Sequence, residues 1–185
     1  IKYRTGIEKS KSGEPMASPE LVQVINLPSK EAPDGMNLTV RGITPVGLEM
    51  REDSRIVNGR MFQPGRREVV VGASVAARYP DAQMGRKLKF GRGEWEVVGV
   101  FKSEQLARNS EIWLDANQMA ADYQRQDAWS SVLVRMQDEV GVRALINQLQ
   151  DDKRLQIEAL PEREYYAKQT SSGDVIRYLG TFVAV

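Results

Sequence analysis

An α+β domain of two lobes is the fold class that the sequence predicts, and three observations predict it. Short apolar runs rich in β-branched residues recur at 21–27, 38–43, 68–72, 95–101, 111–114 and 131–136, each close to Gly, Pro, Asn or Asp. The last third of the chain then alternates strand, helix, strand, helix. Between them, residues 65–127 hold a Gly-rich hairpin and only short helical stretches, which reads as an insert. A chain of 185 residues is long enough to bury a core in one domain or two small lobes. The expected division is 1–64 plus 128–185 for the first lobe and 65–127 for the inserted, β-rich second lobe.

The elements follow in order. Residues 1–20 are polar and carry Gly6, Gly13, Pro15 and Pro19, which predicts a frayed helix and then a loop. Residues 21–27 and 38–43 are strands, separated by a turn at Asp34-Gly35. Thr44 followed by Pro45 predicts a short helix, with Thr as N-cap and Pro at the first helical position. Ile56-Val57 is extended, and turns follow at Asn58-Gly59-Arg60 and Gln63-Pro64-Gly65. A buried strand at 68–72 leads into a helix at 73–79 that Pro80 stops. Strands at 87–90 and 95–101 flank Gly91-Arg92-Gly93 as a hairpin. After a strand at 111–114, Asp115 caps a helix that reaches to about 126. Following the strand at 131–136, Val142, Leu145, Ile146 and Leu149 form one apolar helix face. A strand at 155–160 and a final helix over 162–185 complete the reading.

Composition excludes several functions. The chain has no histidine, the commonest general base and metal ligand, and no cysteine. Ser-His-Asp and Cys-His catalysis cannot be built, and a closed zinc site lacks its usual ligands. With 26 basic and 25 acidic residues, the net charge of +1 gives no broad electrostatic footprint for nucleic acid, so none is expected as a partner. No cofactor or metal is expected either. The first residue is Ile1, which reads as the start of a fragment, and no signal peptide or full-length membrane span is visible. The apolar run 178–185 has two readings: the tail of an amphipathic helix, or the first two turns of a truncated membrane span.

The near-motifs each fail at a named residue. Gly72-Ala73-Ser74-Val75-Ala76 approaches a nucleophile elbow, but Ala76 replaces the second glycine and no histidine can activate Ser74, so capping the next helix is its expected role. Gly91-Arg92-Gly93 lacks the third glycine of a dinucleotide fingerprint, which Glu96 replaces. Asp151-Asp152 and Glu162-Arg163-Glu164 read as helix-end acids rather than a catalytic pair. Trp95, Trp113 and Trp129 read as packed residues, and Arg66-Arg67 as solvated surface. No residue therefore stands as a catalytic, cofactor-binding or metal-binding candidate.

Four segments, in order and spacing, carry a family likeness: Val40-Arg41-Gly42-Ile43-Thr44-Pro45; residues 56–65, with Gly59, Arg60, Phe62, Pro64 and Gly65; residues 68–77, with Glu68, Gly72, Ser74 and Ala76; and Gly85 to Phe90 followed by Trp95-Glu96-Val97-Val98-Gly99-Val100-Phe101. Together they resemble the periplasmic domain of MacB/FtsX-like ABC-transporter permeases. The resemblance implies a porter-like lobe of βαβ-type units, with stalk helices at its ends, and a sabre-like insert near 65–127. It implies a place outside the bacterial inner membrane, between two membrane helices, and no catalytic residues in this domain. As partners it implies an ABC ATPase acting through the membrane region, a second permease copy, identical or related, and a periplasmic adaptor or substrate protein. The expected role is mechanotransmission: passing ATP-driven conformational change outward and contacting substrate or partner. The competing readings are a stand-alone extracytoplasmic binding or adaptor module, and a hydrolase that works with carboxylates alone.

Overall fold

The computed structural model of the chain describes residues 1–29, 32–126, 128–171 and 182–184. Its strands are β1 (Ala17–Leu27), β2 (Met36–Ile43), β3 (Ser54–Gly59), β4 (Glu68–Gly72), β5 (Lys87–Phe90), β6 (Gly93–Ser103), β7 (Glu111–Asp115), β8 (Ser131–Val134), β9 (Glu158–Leu160) and β10 (Phe182–Ala184). The helices are α1 (Pro45–Glu49), α2 (Ala73–Arg78), α3 (Ala116–Tyr123), α4 (Glu139–Asp151) and α5 (Glu162–Ser171). The chain forms two compact units. The first comprises Ile1–Glu20, Thr44–Arg51 and Trp129–Val185, and the second Leu21–Ile43 and Glu52–Ala128. Sequence reading placed 21–43 and 52–64 in the first lobe, whereas β2, β3 and the second half of β1 hydrogen-bond within the second unit.

The second unit is a mixed sheet in the order β3-β6-β4-β7-β2-β1, with β5 paired to β6. β4 runs parallel to β6 and antiparallel to β7, and β2 runs parallel to β7. The central strands are buried on both faces, as the unbroken run of Val69, Val70 and Val71, all at 0% exposure, requires. One face packs Val40, Val69, Val71, Ile112 and Leu114 against Val75 and Tyr79 at α2 and Met119 and Ala120 of α3. The expected hairpin is present. Phe90 pairs with Gly93, and Gly91 at φ 61 supplies the left-handed residue that a two-residue loop needs. Gly99 has a different reason. A Cβ there would lie 2.1 Å from the carbonyl oxygen of Arg60, so only glycine lets this stretch approach β6.

In the first unit, the N-terminal half of β1 pairs antiparallel with β8, and β10 runs parallel to both β8 and β9. The face of α4 read from sequence is the one used. Leu145 and Leu149 are buried with Ile7, Ala17, Val134, Met136 and Ala159, and Val142 and Ile146 pack beside them. Thr44 caps α1 by accepting from Gly47 N–H at 3.2 Å, and Asp138 caps α4 by accepting from Gly141 N–H at 2.6 Å.

Three local expectations change. Residues 1–20 form no helix: the chain makes turns, a bridge between Ile7 and Met136, and the start of β1 at Ala17. Burial of Ile7 and Ala17 in the α4 core overrides the local helical bias. The helix after Asp115 ends at Tyr123, because Gln124 turns left-handed at φ 54. Of the helix expected over 162–185, Glu162–Ser171 is helical, but Phe182–Ala184 is a strand, since pairing with β8 and β9 satisfies its backbone from both sides. Residues 172–181 and 185, which include most of the apolar run at 178–185, lie outside the described residues. Among the described residues no helix is long and apolar enough to cross a membrane.

Candidate functional site

Among the described residues no three acids approach closely enough to hold a metal ion. Ser74 is exposed, and α2 starts at Gly72 with no side-chain cap, so the capping role expected of Ser74 is not realised. Asp152 bonds to Arg154, which with a weaker ion pair from Arg4 holds its carboxyl down at about 2 against the cost of burial. Glu162 and Glu164 sit in the first turn of α5. Trp95 and Trp113 are fully buried, while Trp129 is half-buried.

What sequence reading missed is a set of arginine–carboxylate networks. Arg41 donates twice to Glu111, with its Nη2 at 2.7 Å, and the Trp113 indole N–H donates to the same carboxylate at 2.7 Å. Both charged side chains are 3% exposed, and Trp113 stacks on Phe101 with ring centroids 3.8 Å apart. In the first unit Arg51 pairs with Glu20 at 2.8 Å and donates to the Gly47 carbonyl, and Ser18 joins Glu20 to Thr44. Arg60 grips Glu68 with both terminal guanidinium nitrogens, and Glu68 also accepts from Gln63 N–H, which fixes the Pro64-Gly65 turn. Arg67 lies 5.1 Å over the Trp95 ring and donates to buried Asp122, which also accepts from Arg92 N–H and so ties the β5–β6 turn to α3. The carboxylates bind guanidinium and backbone N–H groups, so their chemistry here is that of braces.

The fifth network shapes a surface. Asp53, just before β3, accepts from Ser103 Oγ at 2.8 Å, Gln105 N–H at 3.3 Å and Arg108 Nη1 at 2.5 Å. Asn109 completes it: its carbonyl accepts from Ser103 N–H and its amide donates to the Ser103 carbonyl, both at 2.9 Å. The loop between β6 and β7 is thereby fixed, with Arg108 and Asn109 buried, yet Leu106 at its crest is 78% exposed. Burial alone would raise the Asp53 pKa; the hydrogen bond from Ser103 and the Arg108 charge outweigh it and lower it below the usual 3.8. A lowered folded-state pKa gives stability that is present above the unfolded value and lost as pH falls through the folded one. Asp53→Asn therefore flattens the acid limb of stability: urea midpoints taken from about pH 6 to about pH 2 fall less steeply for the variant than for the parent chain.

The fold has likenesses among solved structures. It is similar to the extracellular domain of the noncanonic ABC-type transporter YknZ from Gram-positive bacteria, with TM-score 0.57 and 17% identity over 84% of this chain and 81% of that one. It is also similar to the periplasmic region of MacB from Actinobacillus actinomycetemcomitans, with TM-score 0.52 and 13% identity over 80% of this chain and 69% of that one. At these identities the likeness is one of fold. The MacB-like periplasmic core domain model matches residues 10–152, and the chain belongs to that family. It is an extracytoplasmic domain of a MacB-like ABC-transporter permease. No curated protein sequence matches it.

Proposed function

We propose that this domain receives ATP-driven conformational change from the membrane part of a permease in the bacterial inner membrane, and carries it outward to a substrate or partner protein. The family match over residues 10–152 carries the reading. In this scheme the first unit corresponds to the porter-like lobe and the second to the sabre-like lobe. The ATPase acts from the cytoplasmic side, and two permease copies work together. The arginine braces described above support a relay role, because they fix loops on strands that must move as one body.

The experiment uses the full-length permease with its ATPase in proteoliposomes. This domain has no cysteine, so in a permease and ATPase cleared of any cysteines elsewhere Arg92→Cys at the exposed hairpin turn gives a single label on each permease copy. The spin–spin distance between copies is expected to change between the nucleotide-free and ATP-trapped states. An unchanged distance during ATP hydrolysis removes the coupling. A gene with no hydrophobic spans on either side of this segment removes the permease reading itself and leaves a stand-alone adaptor.

A further inference from the structure

The second unit holds two features at the same end of the β3–β6 pair, an exposed apolar crest on a fixed loop and a like-charged cross-strand pair. The first is Leu106. The loop between β6 and β7 is held by hydrogen bonds to Asp53 and Asn109 in a single shape whose crest is a 78% exposed leucine. The second is Arg55 opposite Lys102. They are direct cross-strand partners, both exposed, and like charges in that position repel. Among the described residues neither has an ion-pair partner. Lys102 lies one residue before the braced Ser103, and Arg55 two residues after the bracing Asp53, so the cations and the leucine share one scaffold.

From this juxtaposition we infer that the β6–β7 loop is a protein-docking knob: Leu106 enters an apolar pocket on a partner protein, and carboxylates beside that pocket neutralise Arg55 and Lys102. The chemistry fits both oddities at once. A pre-shaped apolar anchor gives up little conformational entropy on binding, and a partner's acids remove the repulsion that the free domain tolerates. The inference rests on the partner contact of the proposed function and gives it a place, while the relay of motion is tested separately by the spin–spin distance. If the two cations served only to protect the β3 edge from unwanted pairing, Leu106 would have no part in binding.

The test places a photo-cross-linking residue at position 106 of the full-length protein in its native cells, with position 140, an apolar residue that is also largely exposed, as the control. The expected result is one discrete protein adduct at 106 and none at 140, with the cross-link mapping next to Asp or Glu on the partner. The purified partner is then expected to bind Leu106→Asp at least about ten-fold more weakly. Arg55→Glu with Lys102→Glu is expected to lose binding similarly, with thermal unfolding unchanged. No adduct at 106, adducts only to lipid or to a second copy, or binding indifferent to the charge reversal would each overturn the inference.

Discussion

Glu111→Leu is expected to cost about 3–5 kcal/mol of stability, the range for removing one partner of a buried ion pair. Arg41 is the reason. Its guanidinium is 3% exposed and donates to Glu111 through Nε and Nη2, so the leucine variant leaves a cation away from water without that counter-ion. The Trp113 indole N–H also loses its acceptor, which adds about 1 kcal/mol. Against a typical domain stability of about 5–15 kcal/mol, the variant stands near the threshold of unfolding. The double variant Arg41→Met, Glu111→Leu removes the stranded charge and is expected to recover to within about 1–2 kcal/mol of the parent. Urea denaturation followed by circular dichroism measures all four corners of the cycle. A double variant as unstable as Glu111→Leu would show that packing, and not the unpaired charge, sets the cost.

Trp95→Ala is the second large effect, about 3–5 kcal/mol. Trp95 is completely buried, stacks nearly parallel on Phe90 at 5.3 Å, donates its indole N–H to the Phe90 carbonyl at 3.3 Å, and lies under Arg67. The alanine leaves a cavity inside the hairpin and withdraws the ring from Arg67, whose other contact is Asp122. Trp95→Phe keeps the stack and the surface beneath Arg67 but loses the indole hydrogen bond, and is expected to cost only about 1–2 kcal/mol. Thermal unfolding by calorimetry separates the two. Equal losses would mean that the indole N–H, rather than the ring's volume, holds the hairpin.

Much of the fold was legible where the signal is local. The 68–72 strand, the Gly91-Arg92 hairpin, the Thr44 and Asp115 caps and the α4 face rest on turn chemistry and periodicity, and each is found. The family motif is legible too, and its residues now have reasons: Arg60 and Glu68 clamp the turn that Pro64 and Gly65 make, and Gly99 admits the Arg60 carbonyl. The braces were not legible. Arg41 alternates with Val40 as a solvent-facing residue of a half-buried strand would, but β2 is an inner strand buried on both faces. Its partner Glu111 is brought beside it only by the parallel register of β2 with β7. Asp53 and Arg108 meet in the same way, through the β3–β6 pairing, and no local pattern announces it. The N-terminal stretch was misread for a related reason, since Ile7 takes its place from Met136, far along the chain.

The order in which the segments of the two units follow along the chain has a kinetic side. The second unit needs only Leu21–Ile43 and Glu52–Ala128, so everything it pairs is available once residue 128 has been made. The first unit pairs Ala17 with Val134 and buries Ile7 against Leu145 and Leu149, contacts that close over well more than half of the chain. Long closures are slow because their entropy must be lost before the contacts form. During synthesis and export, the inner unit can therefore mature first, while Ile7, Met16 and Ala17 wait uncovered for β8 and α4 to arrive. That interval is when the chain most needs a chaperone's protection.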